Sequence, residues 1–317
     1  MSLETPAGRA TVTMVCALFS LSRQAYYAAK QALRDEPGAA PPLEVSLAVV
    51  EPTPPTDAQT ALETTAATVR AGVTAEAAYA AIEAIVGAHP AWGVRKVWAT
   101  MRREPYGLKL SLRRVWSLMR AKGLCLPPDR SHRVPVTAGH VSVEEPNRRW
   151  ATDLTTVWTE EDGLVAVVPV VDCGCRSALA VVATKPQDAA AVLDPVRTAL
   201  AIEFEAPPDV PADLELRTDH GPQYTAQDCI DLCLHWRLDH TYAPVGRPTG
   251  NSVAERLIRT MKEECIWLRD WRSIAELQAA LDDWRTTYNE ARPHQALQWQ
   301  TPAERRRERL GEMRLAA

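Results

Sequence analysis

Apolar residues recur at helical spacing in the first half of the chain and at strand spacing in much of the second. In residues 14–30, Val15, Leu18 and Phe19 share a face, and Ser22 can cap a second short helix over 23–27. That is the outline of a helix-turn-helix unit, and equally of a plain helical hairpin. The helical period then lapses. Pro37, Pro41, Pro42, Pro52, Pro54 and Pro55 sit among Ala, Thr, Glu and Asp, which reads as a linker; only Leu43, Val45, Leu47 and Val49 alternate. The period returns over 72–89, where Ala78, Ile82 and Ile85 face inward, and over 94–103 after a Pro90-Ala91-Trp92-Gly93 turn. Pro105-Tyr106-Gly107 ends that helix. Ser111 then caps a helix over 112–122 with Gly123 as its stop. Leu112, Val115, Trp116 and Met119 are its expected buried face, and Arg113, Arg114 and Lys122 its basic outer one. A capped basic helix after a helix and a turn has the shape that enters a major groove; it also fits a solvated face.

From Asn147 the pattern changes. Strands are expected at 150–157, 164–172 and 178–184, then a helix over 187–202 with Pro186 in its first turn. A strand ends at Asp219, where His220-Gly221-Pro222 breaks it. A helix over 226–236, a strand over 238–242 and a loop over 244–250 lead to a helix capped by Asn251 or Ser252; a last helix covers 272–288. The 164–172 run is continuously apolar and suits a buried strand, although Pro169 counts against a central place in the sheet. The order predicts an α/β domain with helices on both sides of the sheet, preceded by small all-α units. The expected divisions are 1–32, a linker at 33–70, a helix-turn-helix domain at 71–126, a second linker at 127–146, a catalytic domain at 147–305 and a tail at 306–317.

Composition changes this picture little. At 317 residues, with 46% hydrophobic and 24% charged residues, the chain can bury the cores of two domains. A net charge of −4 argues against nucleic acid by itself, but Glu76 to Trp150 holds thirteen Lys or Arg against six Asp or Glu, a local +7. There is no run of eighteen apolar residues and no secretion signal, so a cytoplasmic protein without a membrane span is expected. The seven cysteines are scattered and read as free thiols. Cys229, Cys233, His235 and His240 are zinc-ligand types, but one residue between the Cys and His pairs is far too short for a finger, and zinc is not expected.

The candidate chemistry lies in three carboxylates. Asp153 falls within the first strand, Asp219 at the end of another, and Glu255 in the first turn of a helix that carries Arg259 and Lys262 on the same face. Each has an ordinary alternative: a surface strand position, a turn initiator, a capping box with Ser252. Together they can hold divalent cations beside a phosphate backbone. His220 can touch a phosphate or serve structure. Gln223 and Tyr224 are expected to fix the turn, with Tyr224 also able to reach DNA. Asn251 is expected to cap or to bind DNA.

These motifs resemble a known family. Trp150-x-x-Asp153, Thr218-Asp219-x-Gly221-x-Gln223-Tyr224, thirty-five residues between Asp219 and Glu255, and a helix ending Lys262-x-Glu264 are similar to the retroviral-integrase-like DDE recombinases. More narrowly they resemble the second-reading-frame transposases of bacterial insertion sequences. Asn289-Glu290-Ala291-Arg292-Pro293-His294 and Thr301-Pro302-Ala303-Glu304 agree. One departure is Gly250-Asn251, where the family usually has Asp-Asn. The resemblance implies a ribonuclease-H-like core. It implies two Mg²⁺ ions, replaceable by Mn²⁺, with Asp153 shared between them, Asp219 on one and Glu255 on the other. It implies double-stranded DNA as partner, contacted by Arg113, Arg114, Lys122, Arg259 and Lys262. A homo-oligomer on DNA, a first-frame partner protein and a place at the bacterial nucleoid are also implied. Two other classes stay open: a ribonuclease-H-like nuclease without strand transfer, and a DNA-binding regulator with an inactive core.

Overall fold

The computed structural model describes residues 74–127, 143–243 and 251–316, with a two-residue antiparallel pair, Glu4–Thr5 and Gly8–Arg9. The helical outline at 14–30, the linker at 33–70, most of the second linker and the 244–250 loop lie outside the described residues. Two compact units divide at Leu126.

In the first unit, α1 (Ala75–Ala88), α2 (Val94–Met101) and α3 (Leu112–Ala121) enclose a core of Ile82, Ile85, Trp92, Val97, Met101, Val115, Leu118 and Met119. Thr74 caps α1 by accepting from the Ala77 N–H, and Ser111 caps α3 by accepting from the Arg114 N–H. Gly123 ends α3 at φ +66°, a conformation that costs glycine least. The expected face of α3 is corrected: Leu118 is buried, while Leu112 and Trp116 are exposed. Positions 112, 115, 116 and 119 and positions 115, 118, 119 and 122 are overlapping stripes of one helix, and packing selects the second.

The second unit is built on a six-stranded mixed sheet: β1 (Arg149–Thr152), β2 (Thr155–Thr159), β3 (Gly163–Asp172), β4 (Ala178–Thr184), β5 (Glu215–Thr218) and β6 (Asp239–Tyr242). Spatially, β3 lies between β4 and the β1–β2 pair; β1 then pairs parallel with β5, and β5 parallel with β6. This is the ribonuclease-H-like order. β3 is apolar from Val165 to Val171 because both its faces are covered there. Val165, Val167 and Val171 pack towards α7 (Ser252–Glu264) and α8 (Ile274–Glu290); Val168 and Val170 pack towards α4 (Ala189–Glu203) and α6 (Gln227–Trp236). A short helix, α5 (Pro222–Thr225), precedes α6. Helix α4 is capped by Asp188, not opened by Pro186, and carries Pro195 within it. None of the described helices is long and apolar enough to cross a membrane.

Pro169 lies in this central strand, against expectation, and the register shows why it is tolerated. β1 and β2 pair with β3 in one continuous register, Thr152 with Val170 and Thr155 with Val167, so the strand expected at 150–157 is one strand interrupted at Asp153 and Leu154. Pro169 falls opposite Asp153. It has no N–H to give, and its carbonyl accepts instead from the Thr152 hydroxyl at 2.9 Å. The break in the ladder is therefore built into the sequence.

Two charge clusters hold the end of the chain to the sheet. Buried Arg292 forks onto buried Glu264 at the end of α7, with contacts of 2.9 Å to each carboxylate oxygen. Thr301 and Glu304 form a reciprocal capping box that opens α9 (Pro302–Ala316). From α9, Arg306 reaches the fully buried Asp172 at 2.9 Å and pairs with Glu203. The 306–317 segment, expected as a tail, is largely helix.

Arg292→Ala would take the guanidinium fork away from the buried Glu264 side chain and is expected to cost about 3–5 kcal/mol in urea unfolding. Arg259→Ala removes an exposed i,i+4 pair with Glu263 and is expected to cost about 0.5 kcal/mol or less. Equal losses in the two variants would contradict the assigned burial.

Candidate metal centre and nucleic-acid interface

Backbone register brings two of the three carboxylates side by side. β1 and β5 run parallel, with Arg149 opposite Glu215 and Ala151 opposite Arg217. Two residues further on, Asp153 comes level with Asp219, both just beyond the carboxyl ends of their strands. Neighbouring strands lie about 4.8 Å apart. The Asp153 carboxylate folds back to accept the Leu154 N–H at 2.8 Å. Asp219 accepts the Gly221 N–H at 2.9 Å, and a side chain at Gly221 would run into that same carboxylate oxygen.

Glu255 is delivered by α7, and a long-range contact sets where that helix starts. Asn251 is buried, and its amide donates to the Thr152 carbonyl at 3.0 Å, immediately before Asp153. It does not make the side-chain cap expected of it; no side-chain cap bond is present at this helix start. The site is electrostatically costly. Burial, chiefly, pushes the Asp153 carboxyl up to about 6, with the Asp219 and Glu255 charges adding to the rise and Lys262 opposing it. Burial also raises Glu255. The Asp219 and Glu255 charges both act on Asp153, and a divalent cation held by hard oxygen donors would relieve that repulsion. Asp153 and Glu255 line a cleft of about 310 Å³ together with Arg259, Lys262 and Trp267. Arg259 is exposed and pairs with Glu263, while Lys262 lies over the Trp267 ring at 6.0 Å.

Other expected residues take structural places. Tyr224 is only 2% exposed, its hydroxyl 3.5 Å from that of Thr152, so it is buried beneath the site. Gln223 donates to the Gln187 carbonyl at 3.0 Å and holds the turn to the start of α4. His220 is exposed and stacks on Tyr242 at 4.8 Å. Asp172, which sequence reasoning did not single out, accepts from the Asn147 and Gly174 N–H groups and ties the entry of the unit to α9.

In the helical unit, Arg113 is exposed, Arg114 is partly buried, and burial lowers the Arg114 guanidinium. Lys122 pairs with Glu83 at 3.4 Å and lies over the Tyr79 ring at 5.0 Å. Two residues that the sequence reading did not assign to DNA share the outer face with Arg113. Trp116 is 43% exposed, and Arg120 lies over its ring at 5.2 Å. The signal was available: 113, 116, 117 and 120 form the stripe opposite Val115.

A sheet of this order, with carboxylates at the ends of its central strands and a helix bearing Glu255 beside them, defines an integrase-type catalytic core. The family models agree. An integrase core domain model matches residues 143–248, a second integrase core domain model matches 237–302, and an HTH-like domain model matches 74–132. The chain thus carries a region similar to integrase core domains, with an HTH-like domain ahead of it. Among its relatives are the transposases InsD of insertion elements IS2D and IS2H from Escherichia coli (strain K12). Each is 29% identical over 237 residues, 72% of this chain and 77% of the relative. Solved structures similar to it include the HTLV-2 integrase catalytic core domain in complex with magnesium (trimeric form), at 16% identity and TM-score 0.38, covering 51% of this chain and 97% of that one. The simian T-cell lymphotropic virus intasome in complex with PP2A regulatory subunit B56 gamma has 17% identity and TM-score 0.40, covering 68% of this chain and 74% of that one.

Asp153 provides a test that needs no DNA. Its folded value of about 6 lies above the ordinary 3.8, so the folded state holds this proton more tightly than the unfolded state. In chelator, its contribution to stability therefore falls as pH rises from about 4 to about 6 and stays low above that. Asp153→Asn removes the ionising group and is expected to stabilise the metal-free protein at pH 8 by about 1–3 kcal/mol, with the gain shrinking towards pH 4. A variant no more stable than wild type at pH 8 would contradict the burial assigned to this carboxyl.

Proposed function

We propose that the chain is a DDE transposase: a metal-dependent polynucleotidyl transferase that cleaves the ends of an insertion sequence and joins the exposed 3′-hydroxyl to another DNA strand. The observation that supports this reading is that sheet register sets Asp153 level with Asp219, while Asp153 and Glu255 line one cleft and both other charges act on Asp153. Asp153, between the other two, is the carboxylate suited to sharing. Two Mg²⁺ ions, or Mn²⁺ in their place, would supply Lewis-acid stabilisation of the attacking and leaving oxygens. In cleavage, a water oxygen bonds to phosphorus as the bond to the 3′-oxygen breaks. In joining, the freed 3′-hydroxyl oxygen attacks a target phosphate and displaces another 3′-oxygen, so no covalent protein–DNA bond is needed. Arg259 and Lys262, lining the same cleft as Glu255, hold the phosphate backbone beside the carboxylates. Asn251 and Tyr224 position the site from behind.

The HTH-like unit binds duplex DNA through the outer face of α3, with Arg113 and Arg120 as its exposed cations. The reaction needs two DNA ends held together, so the working form is a homo-oligomer on DNA. A first-frame protein of the element is a candidate partner, and the setting is the bacterial cytoplasm at the nucleoid.

Asp153→Asn, Asp219→Asn and Glu255→Gln are each expected to lower cleavage of a duplex bearing the element's terminal repeat by at least about a thousandfold, with end binding kept. Wild-type cleavage in any one variant would remove that residue from the site. Cleavage without joined product would instead support a nuclease, and metal-independent silence of the wild type a regulator. Arg113→Ala and Arg120→Ala should each weaken duplex binding and reduce the salt slope by about 1, while Lys122→Ala, paired within the unit, should change that slope less. An unchanged slope in both arginine variants would place the DNA elsewhere.

A further inference from the structure

A cluster of metal-ligand residues that the three carboxylates do not belong to stands on α6 and β6. Cys229 and Cys233 are one turn apart on α6, and β6 returns His240 beside them. The ligand atoms of the three all lie within 4.8 Å of one another, the one such His/Cys/Asp/Glu grouping among the described residues. Both thiols are buried, Cys229 fully and Cys233 to 5% exposure. His235, which the sequence groups with them, is exposed and turned onto the Trp236 ring. Finger spacing excluded zinc only on the assumption of a loop between the ligand pairs. Here a helical turn aligns the thiols and a strand supplies the imidazole.

We propose that Cys229, Cys233 and His240 bind one zinc ion that braces the strand end carrying Asp219. The ring orientation supports this. The Thr218 hydroxyl donates to the Asp219 carbonyl at 2.9 Å, so it accepts from His240 Nε2–H at 3.0 Å. That fixes the tautomer and leaves the Nδ1 lone pair facing Cys229 Sγ, 4.0 Å away. A histidine ligand whose other nitrogen donates to a fixed acceptor is the usual arrangement around a bound metal. Tetrahedral zinc, with bonds of about 2.3 Å to sulfur and 2.0–2.1 Å to nitrogen, places its ligand atoms about 3.6–3.8 Å apart. The cluster therefore needs to contract by about 1.2 Å at most. Sulfur donors select zinc over magnesium, which goes to the carboxylates. On binding, the two thiol protons pass to solvent, and two thiolates balance Zn²⁺, so no net charge is buried. Water completes the four ligands. The ion would join α6 and β6 to Thr218 and thus to the backbone of Asp219.

The test uses the full chain, stripped with chelator under reducing conditions and titrated with Co²⁺. The proposal expects one equivalent to give the thiolate charge-transfer band and tetrahedral visible bands, displaced by one equivalent of Zn²⁺. Cys229→Ser and Cys233→Ser should each lose the thiolate intensity, and His240→Gln should shift the visible bands. Asp153→Asn should keep the full spectrum, since carboxylates give no thiolate band. Zinc should raise the melting temperature of wild type and not of Cys233→Ser. Absence of the thiolate band in wild type would overturn the proposal without variants. So would a band that survives both serine substitutions together, or a Cys229–Cys233 disulfide in the reduced preparation. These readouts are independent of DNA cleavage, so they fail or succeed separately from the transposase reading.

Discussion

Backbone pairing holds two carboxylates side by side here, and a helix brings a third to act on one of them. Parallel pairing of β1 with β5 sets Asp153 level with Asp219 whatever their charges prefer. The ladder opens at Asp153 because Pro169, opposite, has no N–H to give. The Asn251 amide then fixes the start of α7 to the Thr152 carbonyl, one residue before Asp153, and so delivers Glu255. The raised Asp153 carboxyl is the electrostatic consequence, and a divalent cation is its natural relief. Tyr224 beneath and the Gly221 turn beside it allow this crowding without exposing the core.

Much of the fold was legible because it rests on local periodicity. The continuously apolar 164–172 run, the Asp219 turn and the amphipathic helix of Glu255 all carry signals within a few residues. What escaped was non-local. Pro169 reads as a flaw in a central strand until the register shows what lies opposite. Asn251 reads as a cap because capping is the commonest use of Asn before a helix, while its partner is ninety-nine residues away. On α3 the sequence offers two overlapping apolar stripes, and only packing against α1 and α2 decides that Leu118 is in and Trp116 out. The carboxylates themselves were legible as a spacing, but their proximity is a property of the sheet.

Several motif residues that mark the family turn out to build the scaffold. Glu264 and Arg292 form a buried fork, Asn289 pairs with both backbone groups of Ala178, and Thr301 with Glu304 opens the last helix. Asp172 and Arg306 then tie that helix back to the sheet. A motif defined by recurrence thus mixes chemistry with architecture, and only burial and hydrogen bonding separate the two. The same geometry gathers Cys229, Cys233 and His240, with His240 against Thr218, where a metal of different chemistry would support the carboxylate site.

The most direct test is a manganese-soaked crystal examined by anomalous scattering at the manganese edge. The account predicts manganese bridged by the Asp153 and Asp219 carboxylates, with any second ion between Asp153 and Glu255 at roughly 3.5–4 Å from the first. Manganese bound only at other carboxylates, with Asp153 and Asp219 left bare in an otherwise unchanged sheet, would contradict it.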